Sequence, residues 1–129
     1  MTAFTDLDAL TDFFGRYGAA LTAGDVPALT SCYALPGLVV SDTYSFSFTS
    51  PAAVALSFVG AAPDYRDREL VAAHATIEDV QPVSALLTMV AVEWEFLDSQ
   101  GRRVPGERYR YLLRTTDEGP VICTVVRSA

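Results

Sequence analysis

Lysine is missing from the 129 residues, and all nine basic side chains are arginine. Schiff-base chemistry and lysine general bases are excluded with it. Histidine occurs once, as His74, and cysteine twice, as Cys32 and Cys123. One imidazole without an obvious orienting acid, beside serines Ser41 and Ser45 outside any GxSxG context, argues against a hydrolase triad. Two distant thiols with no CxxC or Cys/His spacing read as buried free cysteines rather than a zinc site or a disulfide. No glycine-rich phosphate loop occurs, and "GAAPDYRDRE" is not one. No apolar run approaches the roughly 18 residues that a membrane span needs. The opening "MTAFTDLDAL" has neither the basic nor the apolar region of a signal peptide. These absences lead us to expect a cytoplasmic protein with no cofactor and no metal.

Half of the residues are hydrophobic and 19% are charged, which suits one packed domain over residues 1–129. Sixteen acids against nine arginines give a net charge of −7. Such a body repels nucleic acid and anionic membrane surfaces, so neither is an expected partner.

Leu7, Leu10, Phe14, Tyr17 and Leu21 recur at spacings of three and four, one stripe of an amphipathic helix. Asp6 and Asp8 favour its start, and Gly24 suits its end. Asp25 and Pro27 then open a second helix, predicted from about Val26 to Ala34 and stopped by Pro36. "GLVVSDTYSFSFTS" reads as two short strands, or a strand and a loop. Ser50-Pro51 starts a third helix that Pro63 ends. Four strands follow in "RELVAAHATIEDV", "ALLTMVAVEWEFL", "ERYRYLLRTT" and "VICTVV", with turns at Gln81-Pro82, "DSQGRRVPG" and "DEGP". Helices first and an antiparallel meander afterwards predict an α+β domain whose sheet curls around the helices.

Period-two alternation in "VEWEF" and "ERYRY" separates an ionic face from an aromatic one. Pairing across "DSQGRRVPG" is expected to set Glu93 opposite Arg110, Glu95 opposite Arg108 and Trp94 opposite Tyr109. The four charges then form a solvated or subunit-facing ladder, or a clamp for a substrate carboxylate. Trp94, Phe96, Tyr109 and Tyr111 line a cavity or fill a core, with Phe14 and Tyr33 as further candidate walls.

The segment Arg16 to Asp25, "RYGAALTAGD", resembles the first-helix signature of the nuclear transport factor 2-like superfamily, which includes ketosteroid isomerases, scytalone dehydratase and SnoaL-like cyclases. The element order over nearly the whole chain is similar too. The resemblance implies a cystatin-like cone, with three N-terminal helices packed on a strongly curved, mainly antiparallel sheet. Ala19, Ala20 and Leu21 would let the first helix lie close to that sheet. It implies for Tyr17 the role of the isomerases' enolate-binding tyrosine; packing against the sheet is the structural alternative. Carried along without a gap, the isomerases' general base falls on Ser41, and a bulge or a gap after Pro36 would bring Asp42 into the pocket instead. Their second oxyanion donor falls within "RYRY", where Tyr109 or Tyr111 is the neutral substitute. His74 is a third catalytic candidate, since an imidazole works as acid and as base near neutral pH; its alternative is a structural role, at a dimer interface for instance.

Two functions follow as expectations. One is a cofactor-free acid/base enzyme, of isomerase, dehydratase or cyclase type, acting on a small apolar carbonyl-bearing molecule through Tyr17 with Asp42 or His74. The other is a non-catalytic ligand-binding or dimerisation module. A homodimer through the sheet is expected in both cases.

Overall fold

A computed structural model describes residues 7–59 and 68–128. Helix α1 spans Leu7–Ala23 and buries Leu10, Phe13, Phe14, Tyr17 and Ala20 along one face, as its apolar spacing requires. Gly24, at φ 66°, turns the chain out of the helix in the left-handed region. Asp25 accepts a hydrogen bond from the Ala28 N–H at 3.2 Å and so caps α2, Val26–Ser31, with Pro27 in its first turn. Asp6 and Pro63 lie outside the described residues.

Helix α2 ends three residues before the predicted Ala34. Strand β1, Tyr33–Val40, begins at once, because the Cys32 carbonyl accepts from the Ile122 N–H at 2.7 Å and Tyr33 pairs with Ile122. Capture by a neighbouring strand overrides local helix propensity here. Pro36 falls inside β1, where the register shifts between Tyr33 and Leu38 and no ladder N–H is required of it.

Strand β2, Ser45–Phe48, pairs antiparallel with β1, and α3, Pro51–Val59, follows with Ser50 as its cap. The meander is β3 (Leu70–Pro82), β4 (Leu87–Asp98), β5 (Arg103–Thr116) and β6 (Gly119–Ser128). Together the strands form a six-stranded sheet in the order β2-β1-β6-β5-β4-β3, antiparallel throughout except between β1 and β6. The class is α+β, with helices on a curved sheet. Leu10 and Phe14 from α1 meet Val90, Val92, Leu113 and Ile122 from the strands in the core. The helix comes close enough only because Gly18 has no side chain: a Cβ there would sit 2.9 Å from the Trp94 ring and 3.3 Å from Ala73. Of the residues expected to allow this approach, Ala20 is buried and Ala19 is exposed.

The β4–β5 register differs from expectation by two residues at Glu93 and by three at Glu95. Glu93 faces Arg108, Arg110 faces Ala91, Tyr109 faces Val92 and Glu95 faces Pro105. The cause is a tight turn in place of the long "DSQGRRVPG" connection. One Asp98 carboxylate oxygen accepts from the Gln100 and Arg102 N–H groups, both at 2.9 Å, so β5 starts at Arg103. Those bonds, Arg102's foremost, hold the Asp98 carboxyl below its ordinary pKa. From Glu93 toward Leu87 the slip is two, which preserves the faces, so the ionic and aromatic sides of that part stay as expected. On the ionic side Arg108 bonds Glu93 at 3.0 Å and lies 3.4 Å from Glu78. Trp94 stands opposite two residues, Gly106 and Glu107, in a β-bulge. Gly106 is required there, because a Cβ would collide with the Trp94 carbonyl oxygen.

Candidate functional site

A cavity of about 380 Å³ opens between α1, the β1–β2 hairpin and the aromatic face of β4 to β6. Its volume is within the roughly 300–1,000 Å³ range of small-molecule pockets. Tyr17 reaches it from α1, Tyr33 from β1, Trp94 and Phe96 from β4, and Tyr109 and Tyr111 from β5. Alternation places each of these strand residues on the helix-covered side.

Polar atoms in this wall are tied to one another. The Tyr17 and Tyr33 hydroxyls lie 2.6 Å apart, and the Trp94 Nε1–H donates to the Tyr111 hydroxyl at 2.8 Å. The Tyr17 ring meets Trp94 and Tyr111 edge-on, at centroid distances of 5.9 and 6.1 Å. Burial first, and the neighbouring Tyr111 second, push the Tyr33 phenol far above its ordinary pKa. It remains a neutral hydroxyl across physiological pH. A buried, uncharged pair of this kind can hold a carbonyl or phenolic oxygen in a medium of low dielectric.

Phe14, expected as a wall, packs behind it. It is 0% exposed and touches Phe13, Trp94 and Tyr111, while Tyr17, one turn later, faces the space. Asp42 does not line the cavity. Ser41 opens a turn in which its N–H donates to the Tyr44 carbonyl at 2.8 Å and its Oγ accepts from the Thr43 and Tyr44 N–H groups. The β1–β2 ladder runs regularly up to that turn, with no bulge to swing Asp42 inward, and Asp42 is exposed.

His74 also lies elsewhere. Its neighbours Ala73 and Ala75 pair with Phe96 and Trp94, whereas His74 pairs with Glu95 and is exposed on the ionic face. Of the three catalytic candidates, the structure brings only Tyr17 to the cavity.

Three groups escaped the sequence reading. Tyr44, Phe46 and Phe48 wall one side, and their i, i+2, i+4 spacing in "YSFSF" was the available signal. Arg68 lines the rim. Glu107 is the lone carboxylate among the lining residues. It accepts from the Tyr109 hydroxyl at 2.5 Å and from Arg127 Nη2 at 2.6 Å. It shares the face of Tyr109 and Tyr111 by alternation, and their i, i+2, i+4 spacing in "ERYRY" was the available signal. Among the described residues no three His, Cys, Asp or Glu side chains gather as metal ligands, and no helix is long and apolar enough to cross a membrane.

Residues 8–129 match the model of the family described as NTF2-like protein (DUF6841). The chain belongs to this NTF2-like family. Solved NTF2-like structures show the same architecture. An NTF-2 like protein of unknown function from Shewanella oneidensis MR-1 is 18% identical, with 95% of this chain and 98% of that chain covered and a TM-score of 0.70. A domain of unknown function with a cystatin-like fold from Nostoc punctiforme is 15% identical, with 98% and 78% covered and a TM-score of 0.73. An NTF2-like protein with a cystatin-like fold from Novosphingobium aromaticivorans is 16% identical, with 95% and 80% covered and a TM-score of 0.67. No curated protein matches the chain in sequence. At these identities the likeness establishes the NTF2-like, cystatin-like fold and nothing of the chemistry.

Proposed function

We propose that this NTF2-like domain binds a small, largely apolar molecule bearing a carbonyl or phenolic oxygen. The observation that carries the proposal is the Tyr17–Tyr33 hydroxyl pair, set at 2.6 Å in a cavity otherwise walled mainly by aromatic rings. Rings supply apolar contact, and a hydroxyl rotates to suit its partner, so the pair can present a proton to a ligand oxygen. The reading as a cofactor-free isomerase, dehydratase or cyclase loses Asp42 and His74, the proton carriers assigned to it. Binding is therefore the function the geometry supports best.

We place the protein in the cytoplasm, where the free thiols Cys32 and Cys123 suit a reducing medium. The ionic face supports a homodimer. Its β3 and β4 carry Glu78, Glu93 and Glu95 while β5 carries Arg108 and Arg110, so a two-fold axis can set the acids of one copy against the arginines of the other.

The test of binding is a titration of 2-acetylnaphthalene, an apolar ketone, into the wild type and Tyr17→Phe, followed by Trp94 fluorescence. Saturable quenching is expected, weakened in the variant by about 0.5–1.5 kcal/mol, as for one neutral hydrogen bond. No saturable response in the wild type would overturn the proposal.

A further inference from the structure

We infer that the molecule in this cavity carries a neutral hydroxyl at its outer end, which donates to Glu107. The inference rests on the binding reading above and narrows it to a ligand class. Alternation puts Glu107 on the same side of β5 as Tyr109, two residues on, and so into the cavity wall. Both carboxylate oxygens are held, one by Tyr109 from the same strand and one by Arg127 from β6. The group is therefore aimed, unlike a surface acid free to swing.

A carboxylate can accept at about four positions. Tyr109 and Arg127 occupy two, which leaves acceptor capacity on the cavity side. Charge decides what kind of donor fits. An ammonium group would face the Arg127 guanidinium on the same carboxylate and Arg68 on the cavity rim. A ligand carboxylate would face Glu107 itself. A hydroxyl avoids both repulsions and gains a charge-assisted bond of the type Tyr109 already makes. The ligand then has two poles: an oxygen toward the buried Tyr17–Tyr33 pair and a hydroxyl toward Glu107, whose side chain is 46% exposed.

Three probes separate this inference from the reading beneath it: 2-acetylnaphthalene and its 6-hydroxy and 6-methoxy derivatives, titrated by Trp94 fluorescence. The wild type should bind the hydroxy ketone roughly ten-fold or more tighter than the methoxy ketone, as expected for a hydrogen bond to a charged acceptor. In Glu107→Ala that preference should vanish while the parent ketone still binds. Glu107→Gln, which keeps a carbonyl acceptor, should fall between. Equal wild-type affinity for the hydroxy and methoxy ketones, with the parent ketone bound, overturns the inference and leaves the binding proposal standing. A hydroxyl preference that survives in Glu107→Ala overturns it as well, because the hydroxyl is then read elsewhere. Failure of all three ketones to bind overturns both. Equal wild-type affinities overturn the inference without any variant, and should Glu107→Ala fail to fold, an undiminished hydroxyl preference in the isosteric Glu107→Gln overturns it.

Discussion

Gly15 and Gly18 stand three residues apart in α1, and replacing each with alanine should move stability in opposite directions. In a helix interior alanine is favoured over glycine by about 0.5–1 kcal/mol. Gly15 is exposed, and a Cβ built there meets nothing within 4 Å, so Gly15→Ala should realise that gain. At Gly18 the same Cβ would lie 2.9 Å from the Trp94 ring and 3.3 Å from the Ala73 Cβ and carbonyl oxygen. Trp94 cannot easily yield, since its Nε1–H is bonded to Tyr111 and its ring is wedged against Phe14 and Tyr17. Overpacking of this kind costs about 1–3 kcal/mol, which exceeds the propensity gain and leaves a net loss of about 1–2 kcal/mol. Unfolding entropy of about 2 cal/mol/K per residue makes 1 kcal/mol worth about 4 °C in this chain. Thermal melts should therefore show Gly15→Ala about 2–4 °C above the wild type and Gly18→Ala about 4–8 °C below it. Trp94 emission should shift only in the second. A rise in Tm for Gly18→Ala equal to that for Gly15→Ala would refute the close helix–sheet approach.

Phe14→Ala should lower stability by about 3–5 kcal/mol in urea denaturation, because Phe14 is fully buried behind the cavity wall; a loss below about 1 kcal/mol would contradict that packing. The folded-state pKa of Asp98 is depressed, so its carboxylate stabilises the fold above the unfolded pKa, and that contribution disappears as pH falls through the folded value. Melting curves of wild type and Asp98→Asn should accordingly differ near neutral pH and converge in acid. A constant gap at all pH values would count against the role of its charge. Light scattering should give a mass of twice 13.9 kDa for the proposed homodimer, and a monomer mass at micromolar concentration would exclude it. His74→Gln should leave ketone affinity unchanged, since His74 is on the face remote from the cavity; loss of binding would contradict that placement.

Features carried by short-range patterns were legible in the sequence. The 3.6-residue spacing located α1, the caps Asp25 and Ser50 located the next two helices, and period-two alternation separated the ionic and aromatic faces of β4 and β5. Those faces in turn brought Trp94, Phe96, Tyr109 and Tyr111 to the cavity. Long-range pairing was not legible. The end of α2 depends on β6, some ninety residues later, capturing Cys32 and Tyr33. The β4–β5 register depends on the Asp98 side chain closing a turn that composition alone suggested was longer. Glu107 enters the site by the same alternation that brings in Tyr109 and Tyr111, a legible signal that was passed over. Asp42 was drawn toward the site by the resemblance, and the hydrogen bonds of Ser41 within its own turn keep it out.

The central claim is that the cavity is a ligand site whose polar contact is the Tyr17–Tyr33 pair. The most direct measurement is a crystal structure of the protein soaked with 2-acetylnaphthalene. The expected result is the naphthalene among Trp94, Phe96 and Tyr111, with the ketone oxygen within about 2.6–3.2 Å of the Tyr17 or Tyr33 hydroxyl. A ketone oxygen directed away from both hydroxyls, or a molecule bound only outside the cavity, would contradict the account.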